Sequence, residues 1–143
     1  MKPALLFFAV VFLATACRQH KDSADDKMQQ ELSGTWLFEA KYVQGGNLEQ
    51  TITVAPDGSY TLTSTMPGRT NGPRTISMEG TFRVEGGVLV DTVTKNSQTN
   101  APVPSTNRSR IIRVDNHELA LDYEKNAWTV YPTNEAVFRK QIE

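Results

Sequence analysis

The side chains best suited to binding chemistry are three arginines within six residues, Arg108, Arg110 and Arg113. Strand periodicity places Arg108 and Arg110 on the same face as Ile112 and Val114, which we expect to face the protein interior. The two guanidinium groups would either lie at the mouth of the fold and extend towards solvent, or line a cavity and pair with an anionic ligand. The sequence leaves both arrangements open.

Aromatic side chains are the second group of candidates for a ligand site. Loops over residues 67–73 and 96–107 would border a site at the mouth of the fold. Pockets for small ligands are lined mainly by apolar and aromatic groups with a few polar ones. The aromatic candidates for such walls are Tyr42, Tyr60, Tyr123 and Trp128.

Residues that could carry catalysis or hold a metal are sparse. Of the two histidines, His20 lies in a polar stretch and His117 in a predicted turn, where a solvated side chain is the simpler interpretation than a metal ligand. Asp122 and Glu124 share one strand face, which is typical of a face turned to solvent. The chain has neither a nucleophile elbow nor a phosphate-binding glycine loop. We therefore expect a protein that is not an enzyme and has no metal or cofactor.

The N-terminus has the layout of a secretory signal. Met1 and Lys2 give a positive start, and residues 4–14 contain no charged side chain. This apolar run is too short to cross a bilayer as a helix, which takes roughly 20 residues. We therefore expect residues 1–16 to be a signal peptide and the protein to be exported.

Cys17 is the only cysteine, and it directly follows Ala14-Thr15-Ala16. One interpretation is an ordinary signal-peptidase site that releases a soluble protein. The other is a bacterial lipoprotein signal, which this segment resembles and in which the cysteine receives lipid and becomes the first mature residue. We favour the lipoprotein, because the only cysteine lies where the acylated residue must be. The resemblance then implies the outer membrane, where the host has one, because Arg18 follows the cysteine instead of Asp.

The remaining chain predicts a tether and a single domain. Residues 17–31 would comprise the lipidated cysteine and a flexible, strongly polar tether. Residues 32–143 are enough for one domain with its own core. The whole chain has a formal net charge of −1 at pH 7, so it has no basic excess of the kind that binds nucleic acid.

Alternation of apolar and polar side chains predicts a fold made of strands. Residues 47–66 are predicted to form a hairpin around Pro56-Asp57-Gly58-Ser59. Gly80 lies inside a long predicted strand, where it would mark a bulge or a bend. Further strands are predicted at 36–42, 88–95, 108–114, 118–124, 127–131 and 136–140. Eight or nine short strands without a convincing helix predict an all-β fold, an antiparallel up-and-down barrel of about eight strands that leaves no edge unpaired.

The first strand opens with Gly34-Thr35-Trp36, where the chain resembles the small lipocalin-like domains of bacterial exported proteins. Asp57-Gly58-Ser59-Tyr60, Gly80-Thr81-Phe82 and Val137-Phe138-Arg139 extend the resemblance over nearly all of residues 32–140. It implies that Trp36 plugs one end of the barrel and that Arg139 lies across it. Such a cation–π contact contributes about 0.5–2 kcal/mol.

The resemblance implies a membrane-tethered extracytoplasmic binding module that holds a small apolar or amphipathic ligand in its barrel. The alternative is a protein-interaction or envelope-assembly domain with a solidly packed barrel and no ligand. That alternative predicts an exposed apolar patch around Trp128 and Tyr131. The expected partners are the membrane, through the N-terminal lipid, and either a ligand or an envelope protein. The contents of the barrel distinguish the two functions.

Overall fold

The computed structural model describes residues 23–42, 45–68, 72–122, 129–130 and 135–142. The predicted signal peptide and Cys17 lie outside these residues, and so does the first part of the predicted tether. Within the described ranges, no helix is long and apolar enough to cross a membrane.

The described residues contain nine strands in one closed antiparallel sheet. β1 pairs with β2 on one side and with β8 and β9 on the other. Because β8 and β9 share the last position beside β1, the sheet closes as an eight-strand barrel in which successive strands are neighbours. The predicted all-β, up-and-down barrel is confirmed. The strands are β1 Gly34–Tyr42, β2 Asn47–Val54, β3 Ser59–Met66, β4 Arg74–Glu85, β5 Val88–Asn96, β6 Ser105–Val114, β7 Glu118–Asp122, β8 Thr129–Val130 and β9 Glu135–Lys140.

Two details of the predicted strands are confirmed and one is corrected. The hairpin over residues 47–66 consists of β2 and β3, joined by the predicted turn. The register of β4 and β5 shifts between Glu79 and Gly80, so Gly80 does lie at a bulge. β6 begins at Ser105, inside a stretch predicted to be irregular. Its first half has no hydrophobic alternation because polar residues occupy both of its faces.

Residues 23–31 form a helix, α1, where the sequence predicts a flexible tether. The side-chain amide of Gln29 donates to the carbonyl of Phe82 (3.2 Å) and accepts from the amide of Val84 (2.9 Å). β3 pairs with β4 only as far as Thr81. Beyond that residue, the side-chain amide of Gln29 forms the hydrogen bonds to the β4 backbone that a neighbouring strand would otherwise form. The carboxylate of Asp25 accepts hydrogen bonds from the backbone amides of the β4–β5 turn. The tether prediction is thus corrected for residues 23–31, because these polar side chains bind the barrel.

The end of α1 closes one end of the barrel, which we call the helix end. Leu32 is fully buried there, and its carbonyl accepts a hydrogen bond of 2.7 Å from Nε1 of Trp36, which is 1% exposed. Nζ of Lys140 lies 4.9 Å from the centre of the Trp36 ring and donates to the carbonyl of Glu31 (3.1 Å). These contacts join α1, β1 and β9.

The cation over Trp36 is Lys140, whereas the resemblance implies Arg139. In the β1–β9 register Trp36 lies opposite Lys140, and Arg139 lies opposite Leu37. Adjacent residues of a strand point to opposite faces, so Arg139 faces outwards and is exposed. The prediction was wrong by one residue, which is enough to exchange the two faces of the strand.

The Gly-x-Trp motif has a structural reason at this end of the barrel. Gly34 has a φ of 124°, which favours glycine. A Cβ atom at this position would lie 2.6 Å from Cε of Lys140. Because glycine has no Cβ, it leaves space for the side chain of Lys140 to reach the ring of Trp36.

We predict that Leu32→Ala lowers the free energy of unfolding by about 2–5 kcal/mol, because it leaves a cavity between α1 and Trp36. Urea denaturation followed by tryptophan fluorescence measures this change. The matched control is Ile142→Ala, because Ile142 is 81% exposed and its truncation is expected to change stability by less than about 0.5 kcal/mol. Equal effects of the two substitutions would show that α1 is not part of the folded unit.

Candidate functional site

The barrel interior has a packed half and a half that solvent reaches. In the half nearest α1, the large inward-facing side chains are buried, among them Trp36, Val54, Phe82, Leu89 and Phe138. The other half lies towards the β3–β4 and β5–β6 connections, and we call it the loop-end half. Its half-buried inward-facing residues are Ala40, Gln50, Leu62, Met66, Met78 and Asn96. Leu48, Ser64 and Ile76 stay buried between them.

A carboxylate faces into the barrel at the boundary of the two halves. Asp91 lies opposite Phe82 in the β4–β5 register and therefore shares its inward face. The hydroxyl of Tyr60 donates to Oδ1 of Asp91 (2.6 Å), and Nδ2 of Asn107 lies 3.4 Å from Oδ2. Asp91 is half-buried and Asn107 is exposed, so this group is partly open to solvent.

Gly80 allows Tyr60 to reach Asp91 from two strands away. Tyr60 lies opposite Gly80 on β4, and its ring stacks on Phe82 with the ring centres 4.1 Å apart. A Cβ on Gly80 would lie 2.9 Å from the Tyr60 ring and 2.2 Å from the carbonyl oxygen of Thr92. The missing side chain thus gives the phenol a path across β4 to the carboxylate on β5.

Burial shifts the proton equilibria of this pair. Desolvation raises the pKa of Asp91, and the hydrogen bonds from Tyr60 and Asn107 oppose that shift. The pKa of Tyr60 is raised by burial and, to a smaller extent, by its hydrogen bond to Asp91 and by the charge of that group. Tyr60 therefore remains a protonated donor. In the described part of the chain, every ion pair involves other acids, so no lysine or arginine neutralises Asp91.

Arg108 and Arg110 lie on the outer face of the barrel, so the prediction that they share an inward face was wrong. Arg108 pairs with Glu85 at 3.3 Å and Arg110 with Asp122 at 3.4 Å, and all four side chains are well exposed. Pairs of this kind contribute roughly 0–1 kcal/mol. Neither arginine lies at a ligand site in the barrel.

A bulge in β6 explains this error. The β6–β7 register shifts between Ile111 and Arg113, so Ile111 packs against the core while Ile112 is 38% exposed. The face that begins with Arg108 is therefore the outer one. Arg113 binds Glu118 and Glu135 on that exterior.

Of the four aromatic candidates, Tyr60 is the one whose side chain the structure describes, and it lies at the site. Tyr60 is 4% exposed and acts through Asp91. Tyr42 ends β1, but its side chain lies outside the description, as do Tyr123 and Trp128. Sequence reasoning missed Asp91. A signal was present, because Leu89, Asp91 and Val93 form an alternating row in which a single acid interrupts apolar residues.

Titratable side chains also lie at two other places. His117 lies in the exposed turn before β7, where its backbone amide donates to Asp115. Outside the barrel, a cleft of about 500 Å³ lies between α1 and the β4–β5 strands and includes Asp25, Asp26 and Asp57. Asp25 is already bound to the β4–β5 turn. Across the ranges given above, no three potential ligands are grouped so that they could hold a metal ion.

The fold and the interior define this protein as a closed antiparallel β-barrel with a polar group inside. No protein-family model matches the chain, and no curated protein sequence matches it. Among solved structures it is similar to an uncharacterized protein from Bacteroides eggerthii, with 14% sequence identity and a TM-score of 0.45. That similarity covers 76% of this chain and 98% of the other.

We predict that Tyr60→Phe raises the pKa of Asp91 further, because the phenol hydrogen bond favours the charged carboxylate. Carboxyl carbon NMR across a pH titration measures this pKa. Asp57 is the internal control, since it is exposed and hydrogen bonds from Ser59 lower its pKa. An Asp91 pKa that stays constant or falls would contradict the hydrogen bond.

The raised pKa of Asp91 also affects the stability of the fold. A carboxyl whose pKa is higher in the folded than in the unfolded chain opposes folding when it is ionised. The cost imposed by Asp91 is therefore present above its folded pKa and disappears as the pH falls below its unfolded pKa.

Proposed function

We propose that this protein is a membrane-tethered, lipocalin-like binding module that holds a small amphipathic ligand in the loop-end half of its barrel. The observation that carries the proposal is the contrast within the interior. Large side chains fill the helix end, whereas in the loop-end half Ala40, Gln50, Leu62, Met66, Met78 and Asn96 remain partly open to solvent around the buried Leu48, Ser64 and Ile76. Binding sites in barrels lie at such mouths.

The chemistry of the loop-end half suits an amphipathic ligand. Leu62, Met66 and Met78 offer apolar surface, and Met side chains adapt readily to different shapes. Asp91 and Asn107 offer polar atoms at the base of this half. A ligand with an apolar body and one polar group would match both parts.

The alternative, an envelope-assembly domain with a filled barrel, has less support. The exposed large hydrophobic side chains of the described residues are Val103, Ile112 and Ile142, from three separate segments. The patch expected around Trp128 and Tyr131 lies outside those residues. The proposed role involves no reaction, cofactor or metal.

The position of α1 supports a short connection to the membrane. With lipid on Cys17, only residues 18–22 would separate the anchor from α1. A fully extended chain of this length spans roughly 20 Å. The helix end would then lie near the membrane and the loop-end half would open away from it, in the envelope of the exporting cell and at the outer membrane where the host has one.

We predict that n-decanol binds the protein and that Leu62→Trp weakens this binding about tenfold or more, because the indole fills the space beside the ligand. Isothermal titration calorimetry measures both affinities. The matched control is Thr61→Trp, which adds the same indole to the exposed outer face of β3.

Thr61→Trp should bind n-decanol as the unchanged protein does. An unchanged protein that does not bind n-decanol, or a Leu62→Trp variant that binds it equally well, would contradict the ligand site. A natural ligand retained during purification would appear as a mass loss in native mass spectrometry after extraction with organic solvent.

The anchor gives a separate prediction. Intact mass of the mature N-terminus in a bacterial host should show lipid on Cys17, and Cys17→Ser should move the protein from the membrane fraction to the soluble fraction. An unmodified Cys17 at the mature N-terminus would remove the membrane from the proposed function and leave the barrel site intact.

A further inference from the structure

Asp91, at the boundary of the two halves, carries a negative charge and forms no ion pair with a described lysine or arginine. The two hydrogen bonds to Asp91 come from the neutral groups of Tyr60 and Asn107. Lys140, the inward-facing cation of β9, lies at the helix end over Trp36. The described arginines of β6 are outside the barrel with their own acids.

A partly buried carboxylate that has no opposite charge beside it opposes folding. Burial of a charge costs free energy, and neutral hydrogen-bond donors compensate only part of that cost. A carboxylate has about four acceptor positions, and Tyr60 and Asn107 use two of them. Asp91 is half-buried and faces the interior, so it retains acceptor positions for a group bound inside the barrel.

We propose that the ligand of this barrel carries a protonated amine, which donates hydrogen bonds to the carboxylate of Asp91 while its apolar part contacts Leu62, Met66 and Met78. This inference rests on the proposed ligand site and assigns it a class of ligand. Tyr60 is a positioning residue, because its hydroxyl orients the carboxylate and its ring forms part of the packed base.

The charge of Asp91 disfavours an anionic group placed beside it. A second carboxylate near Asp91 would meet a like charge in a partly desolvated place, which is costly. A neutral alcohol could bind through the apolar wall and one hydrogen bond, but it would leave the charge of Asp91 unpaired. The order of affinity should therefore be amine, alcohol, carboxylate for chains of equal length.

Three probes with the same tail test this order. We would titrate the full-length mature protein with n-decylammonium, n-decanol and n-decanoate at neutral pH, each below its aggregation concentration, by isothermal titration calorimetry. We expect n-decylammonium to bind about 10–100-fold more tightly than n-decanol, which is the range of a hydrogen bond to a charged group, and n-decanoate to bind most weakly.

Asp91→Asn should remove this preference, because asparagine keeps the shape and an oxygen that accepts from Tyr60 but carries no charge for the ammonium group to pair with. The matched control is Asp122→Asn, which removes the same charge from the outer face, where Asp122 pairs with Arg110. The control should keep the full preference for the amine. Far-ultraviolet circular dichroism confirms that both variants fold.

The outcomes separate this inference from the proposed function. Binding of all three probes without preference for the amine would overturn the cationic ligand and leave the amphipathic site standing. A preference that survives Asp91→Asn, or disappears equally in Asp122→Asn, would also overturn the role of Asp91. If none of the probes binds, both proposals are wrong. The comparison of probes with the unchanged protein decides the question even if Asp91→Asn fails to fold.

Discussion

Closure of the barrel depends on the contacts around Trp36. Its indole NH donates to the carbonyl of Leu32, and the ammonium group of Lys140 lies over its ring. These groups come from the end of α1, the start of β1 and the end of β9. A single side chain therefore connects the first described elements with the last described strand. A buried donor without an acceptor costs roughly 1–3 kcal/mol. The packing of Trp36 and the position of α1 therefore depend on each other.

The filled helix end explains why the loop-end half of the barrel can keep features that do not stabilise the fold. α1 satisfies the β4 edge and the β4–β5 turn through Gln29 and Asp25, and Leu32 completes the core beneath them. Stability is thus concentrated where the barrel is plugged. The loop-end half can keep side chains partly exposed and a charge partly buried, features that serve binding better than folding. Asp91 lies at the boundary of the two halves. It accepts a hydrogen bond from Tyr60, whose ring stacks on Phe82.

Much of the fold could be predicted because its information is local. The alternation along β2 and β3, the turn at Asp57-Gly58 and the bulge at Gly80 each follow from a few neighbouring residues. The errors have one physical origin. An extra residue near Ile112, or an offset of one at Arg139, reverses which side chains face inwards, because the period of a strand is two. For that reason Arg108 and Arg110 lie on the outer face of the barrel and not on the predicted inner face.

By itself, the sequence determined an all-β barrel with a glycine and a tryptophan at its first strand, because strand periodicity and turn chemistry act over short distances. Only the tertiary structure decided that a polar segment becomes α1, since the edge and turn that it binds exist only in the folded barrel. Only the tertiary structure joined Tyr60 to Asp91, across a strand where Gly80 leaves room. Contacts between strands depend on register, and register is set by the whole closed sheet.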